Sequence, residues 1–357
     1  MLVYNSETTD GITTTFNTTT NTGFITDGTN QVSYQNIERL NITGTQSDDS
    51  IVGNNGNDTL SGGINGNDTV DGGKGDDLLV YNSGSVQGIT STFDAINNTG
   101  FITDGGNRVN YKNIERLNII GTDFNDLIVG SNGNDRIIGN IINIIGFREP
   151  EEVGVIAGND TIDGGAGEDL LIVSDNGDTN GKGIISNFNA TINTGLITAS
   201  NGRISYNNIE RLDITGTQYD DLIVGSNGND TLKGGLSNDI LTGGKGNDSL
   251  IGEAGTDTFA FNNFKEGVDI IDDFNTTDEL IQVSTAGFGG GLSSGTLEAN
   301  KFTIGASATT SNQRFIYNSA TGGLFFDLDG SGSGSTQVQF AQLSGGLSVT
   351  EKNFVVV

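Results

Sequence analysis

Thirteen aspartates recur along this chain at a spacing that could assemble a set of cation sites. In the last of three stretches, five of them follow one another at intervals of nine residues. Carboxylate oxygens are ligands that hard divalent cations prefer, and a regular fold would bring evenly spaced carboxylates together. The candidate metal ligands are Asp49, Asp58, Asp68, Asp77, Asp126, Asp135, Asp160, Asp169, Asp221, Asp230, Asp239, Asp248 and Asp257.

An apolar residue stands two positions after every one of these aspartates. Only 33% of the chain is hydrophobic, so chance does not explain a match at all thirteen positions. In a β-strand alternate side chains point to opposite faces, and one apolar residue per short strand would point inward. The predicted core residues are Ile51, Leu60, Val70, Leu79, Ile128, Ile137, Ile162, Leu171, Ile223, Leu232, Leu241, Leu250 and Phe259.

A nine-residue unit of this kind divides into about six residues of turn and about three of strand, with glycine supplying positive φ angles in the turn. Two units complete one flattened coil, and coils stack at the usual inter-strand spacing of about 4.8 Å. Turns on the same edge are therefore two units apart, which places Asp221, Asp239 and Asp257 in one column. A divalent cation between adjacent turns would remove the repulsion between these carboxylates.

Calcium suits such an all-oxygen site better than magnesium, which demands a small octahedral shell and keeps its waters. The alternative is that Asp and Asn only form turns here, as they commonly do. The register that is kept through thirteen units favours the metal interpretation.

The charge balance restricts the partners of the chain. With 45 acidic and 16 basic residues the net charge is −29, which argues against nucleic acid and anionic membranes and for cations. Calcium is therefore expected to act as a folding cofactor as well as a ligand. The absence of Cys and His excludes disulfides, the usual zinc sites and every His-based catalytic triad. The sequence shows no N-terminal signal-peptide pattern and no apolar run that predicts membrane insertion.

A longer repeat contains the short one. Residues 11–63, 88–140 and 183–235 align without gaps, and each holds the sequence Asn-Ile-Glu-Arg-Leu. Their leading parts alternate polar and apolar residues around turn signals, which predicts β-strands. The residues expected to face inward are Ile37, Leu40 and Ile42, with their equivalents Ile114, Leu117 and Ile119.

These repeats predict an all-β chain in which three arrays of coils form a parallel β-roll, or β-solenoid. An insertion over residues 141–156 holds the only proline and is expected to be a surface loop. The predicted domains are three long repeats with their arrays and a C-terminal β cap, over residues 1–82, 83–173, 174–262 and 263–357.

The chain resembles the hemolysin-type (RTX) calcium-binding repeat proteins. Residues 243–251 read Gly-Gly-Lys-Gly-Asn-Asp-Ser-Leu-Ile and match the nonapeptide GGxGxDxUx, in which U is a large aliphatic residue. The resemblance implies a calcium-stabilised β-roll that is exported unfolded and folds outside the cell or at its surface. It implies that several calcium ions bind the thirteen aspartates and carbonyl groups near Gly72, Gly73, Gly75, Gly164, Gly165, Gly167, Gly243, Gly244 and Gly246. Weaker or empty sites are expected in the four units that have Ser47, Phe124, Tyr219 or Ser237 in place of the third glycine.

The C-terminal region resembles the segment that caps the last coil in secreted RTX proteins. Residues 314–318 and 323–327 flank a turn and predict a hairpin. The apolar residues 354–357 resemble the uncleaved signal that type I secretion uses, although a last β-strand would look the same. Calcium ions and the type I secretion apparatus are the expected partners, and any cell-surface or matrix partner is left open.

The favoured function is a secreted, non-catalytic calcium-binding repeat protein, and no enzyme activity is expected. Two alternatives stay open, namely a C-terminal fragment of a larger RTX enzyme or toxin, and an extracellular matrix component or adhesin. A glycosidase that uses only carboxylates would need two acids in a cleft outside the repeats, whereas nearly all acids here are explained by turns.

Overall fold

The computed structural model describes residues 1–5, 9–82, 87–139, 157–177 and 181–357, and its regular structure is almost entirely β. The predicted surface loop over residues 141–156 lies outside these ranges. The described chain divides into two compact units, which consist of residues 1–173 with 201–209 and residues 174–200 with 210–357. Each unit contains stacked parallel strands of the predicted kind.

The strands of the first unit are Leu2–Asn5, Thr13–Asn17, Thr22–Thr26, Gln31–Gln35, Leu40–Thr43, Ser50–Val52, Thr59–Ser61, Asn67–Asp71, Leu78–Asn82, Thr90–Asp94, Thr99–Thr103, Arg108–Lys112, Arg116–Ile120, Leu127–Val129, Arg136–Ile138, Ala157–Asp163, Leu170–Ser174 and Asn201–Asn207. The strands of the second unit are Ile185–Asn189, Thr194–Thr198, Arg211–Thr215, Leu222–Val224, Thr231–Leu236, Ile240–Thr242, Ser249–Ala254, Thr258–Phe261, Asp269–Ile271, Leu280–Val283, Gly295–Thr296, Phe302–Ile304, Phe315–Tyr317, Gly323–Phe326, Val338–Gln342 and Phe354–Val356. The second unit also has a short α-helix and two 3₁₀ turns, at Thr285–Phe288, Ala299–Lys301 and Glu351–Asn353.

Successive repeat units alternate between two sheets, so that two units make one coil. In the third array, Ile223 pairs in register with Leu241, and Leu241 pairs with Phe259. In the other sheet, Leu232 pairs with Leu250. All thirteen apolar residues that follow the aspartates are buried to within 2% exposure, which confirms the predicted inward face.

Hydrogen bonds between parallel strands hold the coils together. Each short strand contributes one inward-facing side chain to the core. Several of these strands are only three residues long, for example Ser50–Val52 and Ile240–Thr242. Core side chains at the same position of successive coils stack on one another and form continuous apolar columns, which we call the apolar files. The long-repeat residues Leu40, Ile42, Leu117 and Ile119 extend these files and are buried.

Three-stranded antiparallel meanders interrupt the parallel stacking, which the repeat pattern did not predict. Strand Arg108–Lys112 pairs in parallel with the first array, and Thr90 at the other edge of the meander pairs in parallel with the second array. The middle strand Thr99–Thr103 is antiparallel to both of its neighbours. The connecting loops are too short for a parallel crossover, so only antiparallel pairing is available to these segments.

Asparagine in the left-handed region helps to form these turns. Asn98 and Asn113 have φ angles of 48° and 53°, and the Asn113 amide N–H donates to the Asn98 carbonyl at 2.9 Å. Asn tolerates this region better than most non-glycine residues. In the meander, the ring of Tyr111 lies over Gly100, where an added Cβ would lie 2.4 Å from the ring, and stacks on Phe93.

The second unit ends in a region with an aromatic core. The predicted hairpin is present, with Phe315 paired antiparallel to Phe326. Ring centroids of Phe288 and Phe326 are 5.0 Å apart, and those of Phe315 and Phe354 are 5.1 Å apart. The last coil continues into this region because strand Asp269–Ile271 pairs in parallel with Val338–Gln342.

Two sequence-based expectations need qualification. Ile37 is only half-buried, whereas its equivalent Ile114 is buried, so the first long repeat packs this position less completely.

The C-terminal residues form strand Phe354–Val356, which pairs in parallel with Leu280–Val283. The alternative interpretation of this tail, a last β-strand, therefore describes it in the folded protein.

We expect Leu241→Ala to lower the free energy of unfolding of the folded protein by about 2–5 kcal/mol, because it leaves a cavity in the apolar file. Ile240 precedes Leu241 in the same strand but is 38% exposed, so Ile240→Ala should cost no more than about 1 kcal/mol. Urea unfolding of both variants in millimolar calcium measures the difference. Equal costs would contradict the assignment of the inward face.

Candidate metal sites in the aspartate columns

The aspartates of the three arrays form vertical columns joined by hydrogen bonds. The amide N–H of Asp221 donates to Oδ1 of Asp239 at 2.8 Å, and that of Asp239 donates to Oδ1 of Asp257 at 2.9 Å. The neighbouring column repeats this link between Asp230 and Asp248 at 2.8 Å. The predicted eighteen-residue pairing in the third array is therefore present in the backbone geometry.

The same link recurs in the first two arrays at different sequence intervals. The Asp58 amide donates to Oδ1 of Asp77 at 2.8 Å across nineteen residues, because the first array contains one extra residue. The Asp126 amide donates to Oδ1 of Asp160 at 2.9 Å across thirty-four residues that include the insertion. The same amide-to-carboxylate hydrogen bond joins Asp49 to Asp68 and Asp135 to Asp169. All thirteen predicted ligands are buried.

Burial makes these carboxylates difficult to ionise. Loss of solvent, reinforced by the nearby charges of Asp58, Glu115 and Asp76, raises the pKa of Asp77 to about 8. Burial, with the charges of Asp221 and Asp257 above and below, raises the pKa of Asp239 to about 7. At neutral pH these two carboxylates therefore need a proton or a cation.

The ion pairs at the surface do not meet this need. Lys112 contacts Asp71 at 3.0 Å and Arg116 contacts Asp76 at 2.8 Å, and both of these acids lie outside the columns. The column carboxylates mostly face backbone amides, Ser and Thr hydroxyls and one another, and the nearby charges of Arg39 and Arg116 oppose the effect of burial on the pKa of Asp58 and Asp135. The remaining compensation has to come from hydrogen bonds within the turns or from a bound cation.

The predicted glycines line the turns beside the carboxylates. A Cβ added at Gly72 would lie 2.6 Å from Oδ2 of Asp77, and one added at Gly243 would lie 2.2 Å from Oδ2 of Asp248. Gly164 lies in the same way against Asp169, at 2.7 Å. The remaining six predicted glycines have φ angles between 94° and 142° and are Gly73, Gly75, Gly165, Gly167, Gly244 and Gly246.

Carbonyl oxygens of the preceding coil converge on these glycine turns. A Cβ added at Gly244 would lie 2.6 Å from the Ser226 carbonyl oxygen, and one added at Gly246 would lie 2.1 Å from the Gly228 carbonyl oxygen. The turn around Asp248 therefore brings a carboxylate and backbone carbonyls together in space that a side chain would fill. An all-oxygen donor set of this kind is what calcium prefers.

Several column carboxylates keep one oxygen without a hydrogen-bond partner. Oδ2 of Asp77, Asp239, Asp248 and Asp257 is buried and unpartnered, and each of these residues is at most 1% exposed. Leaving a buried polar atom unpaired is costly, so each of these oxygens is suited to a cation. Within the described ranges no three acidic side chains converge as a metal cluster, so one or two carboxylates with backbone carbonyls would form each site.

Three acidic residues that the repeat pattern did not single out extend the columns. Oδ1 of Asp269 accepts the Asp248 amide at 3.2 Å, and Oε2 of Glu115 accepts the Asp77 amide at 2.9 Å. Glu279 is buried one coil beyond Asp257, and burial raises its pKa to about 7. A sequence signal existed, since an apolar residue stands two positions after each of these acids, as in the arrays.

Comparison with known proteins agrees with this geometry. The family model for the RTX calcium-binding nonapeptide repeat (4 copies) matches residues 41–65, 65–85, 118–141, 157–179, 215–250 and 234–263. A search of curated proteins gave no match. None of the helices in the described ranges is long and apolar enough to span a membrane.

The chain is also similar to a solved structure, the extracellular lipase LipA from Serratia marcescens, at 16% sequence identity. The alignment covers 91% of this chain and 41% of the lipase chain, with a TM-score of 0.17. The family match, the stacked parallel strands and the carboxylate columns carry the assignment. Residues in all three arrays match the RTX calcium-binding nonapeptide repeat, so this chain carries repeats of the hemolysin-type RTX family.

Proposed function

We propose that this chain is a secreted, non-catalytic calcium-binding protein in which several calcium ions drive folding of the β-roll outside the cell. The observation that carries the proposal is the set of buried, unpartnered carboxylate oxygens at Asp77, Asp239, Asp248 and Asp257. Calcium supplies the positive charge and the oxygen coordination that these atoms lack. Aspartate side chains and glycine-turn carbonyls would hold the ions.

The remaining chemistry of the columns supports a binding role over a catalytic one. The column aspartates are buried in the turns of the coils and hydrogen-bonded to backbone amides, which is unlike two acids facing a substrate cleft. The chain has no Cys and no His to serve as nucleophile or base. This chain spans 41% of the length of the similar lipase chain, and lipase activity is not proposed for it.

Calcium dependence also suits export. A chain with net charge −29 and buried carboxylates would stay unfolded at low cytosolic calcium, and higher external calcium would drive folding after transport. We therefore place the protein outside the cell or at its surface, and we propose the type I secretion apparatus as its exporter.

In calcium-free buffer at pH 8, we expect far-UV circular dichroism to show a largely disordered chain. The spectrum should become β-rich as calcium rises through about 10⁻⁴ to 10⁻³ M, the usual range of extracellular calcium modules. Magnesium at the same concentrations is the control and should restore much less β-structure. Equal β content with and without calcium would refute the proposed folding role.

Lowering the pH should partly replace calcium. The folded-state pKa values of Asp77 and Asp239 are raised to about 8 and about 7, whereas unfolded Asp titrates at about 3.9. The folded state then binds more protons, so the stability of the calcium-free fold is greatest below about pH 4 and is lost as the pH rises through about 7 to 8.

We therefore expect β-structure to appear in calcium-free buffer when the pH falls from 8 to 5. The calcium concentration for half-saturation should rise by about tenfold per pH unit below the folded-state pKa for each proton that one ion displaces. Circular dichroism and calcium titration at pH 5, 6, 7 and 8 measure both effects. A calcium affinity that stays constant over this range would contradict the raised pKa values.

Deleting Glu351–Val357 should abolish export through a matched type I transporter if the tail is a secretion signal. The deletion also removes Phe354, whose ring lies 5.1 Å from Phe315. The matched control is therefore Phe315→Ala, which damages the same aromatic core and leaves the tail intact. We expect export to be lost in the deletion and retained in the control, as measured in culture supernatants. Undiminished export of the deleted chain would show that the tail is only a terminal strand.

A further inference from the structure

The repeat units fall into two classes according to the residue at their second glycine position. In the first two units of each array this position holds Thr, Ser or Asn, at Thr45, Asn54, Thr122, Ser131, Thr217 and Ser226. In most later units it holds glycine, as at Gly73, Gly165, Gly235 and Gly244. The two classes treat the aspartate of their unit differently.

In the Thr/Ser/Asn class, the protein satisfies both carboxylate oxygens. The Ser226 amide donates to Oδ2 of Asp230 at 2.5 Å, and the Ser226 hydroxyl lies 2.8 Å from Oδ1. The Leu212 amide of the preceding strand also donates to Oδ1, at 2.6 Å. Both oxygens are likewise hydrogen-bonded in Asp49, Asp58, Asp126, Asp135 and Asp221.

In the glycine class, the turn directs its amide away from the carboxylate. The φ angles of Gly73 and Gly165 are 95° and 94°, and their amides donate backwards to Asp71 at 3.2 Å and Asp163 at 3.1 Å. Gly244 has the same conformation, with φ at 99°, and Oδ2 of Asp248 is left without a partner. An L residue rarely adopts this conformation, which is why glycine occurs here.

Glu253 shows that the conformation is what separates the classes. It is not glycine, yet its φ is 67°, and its amide donates to Oδ2 of Asp273 at 2.7 Å. Oδ2 of Asp257, the aspartate of the same unit, is buried and unpartnered as in the glycine units. In this unit the left-handed conformation therefore accompanies an unpartnered carboxylate oxygen although the residue carries a side chain.

We propose that calcium binds only through the carboxylates of the left-handed class, and that the six carboxylates of the Thr/Ser/Asn class ligate no ion. This inference rests on the proposed calcium function and adds which repeats use it. In the six units, amide and hydroxyl donors occupy the oxygen positions that a cation would otherwise share. Each array then begins with a coil that needs no metal, followed by coils that do.

This arrangement gives each array a metal-independent start. The Leu40 amide of the long repeat donates to Oδ1 of Asp58 at 2.6 Å, which joins the long repeat to the first coil by hydrogen bonds alone. The Leu117 amide makes the same contact with Asp135 in the second array, at 2.6 Å. Calcium-dependent coils would then stack on a first coil whose own carboxylates need no ion.

The test compares two aspartates of one column, Asp230 and Asp248, by changing each to Asn. Both residues are buried and lie eighteen residues apart, so the substitutions are matched in site and size. Equilibrium dialysis with radioactive calcium counts the ions bound per chain, and circular dichroism in calcium verifies folding. We expect Asp248→Asn to lose one ion and Asp230→Asn to lose none. An equal loss in both variants would overturn the two-class assignment.

A second variant keeps the test decisive if Asp248→Asn does not fold. Gly244→Ser gives its unit the sequence Gly-Ser-Lys-Gly-Asn-Asp, close to the Gly-Ser-Asn-Gly-Asn-Asp of residues 225–230. We expect this variant to fold and to bind one ion fewer, and an unchanged ion count would overturn the inference. Failure of the proposed calcium function would look different, because the unsubstituted protein would then bind no calcium.

Discussion

Carboxylates that are stacked and buried must be protonated, hydrogen-bonded or coordinated, and the rest of this structure depends on how that requirement is met. Asp239 shows the constraint most plainly. It lies between Asp221 and Asp257, is 1% exposed, and has one oxygen without a hydrogen-bond partner. A column of such residues is unstable at neutral pH unless positive charge enters it.

The nonapeptide couples this polar column to an apolar one. A core side chain follows each aspartate by two residues. A change in the register of one coil would therefore displace both its aspartate and its core side chain. Leu241 stacks between Ile223 and Phe259 while Asp239 stacks between Asp221 and Asp257. The core fixes the register, and the register places the carboxylates. Charge neutralisation in the turns and burial in the core are therefore expected to be cooperative.

Much of this fold could be predicted from the sequence, because the pattern is local and repeated. The inward position of residues such as Leu250 and the column of Asp221, Asp239 and Asp257 follow from a nine-residue period. The antiparallel meanders did not follow, since strand direction depends on loop geometry that alternation alone does not fix. Glu115 was missed because it precedes the second array and joins a column through pairing between distant segments, although Leu117 follows it at the spacing found in the arrays.

The division of the aspartates into open and hydrogen-bonded carboxylates also needed the structure, because it depends on a φ angle and the direction of an amide. Calcium binding at the open carboxylates can be tested directly by an anomalous difference map from crystals grown with terbium, a calcium substitute with strong anomalous scattering. We expect peaks beside Oδ2 of Asp239 and Asp248, with coordinating turn carbonyls. Ordered turns at these aspartates with no peak beside them would contradict this expectation.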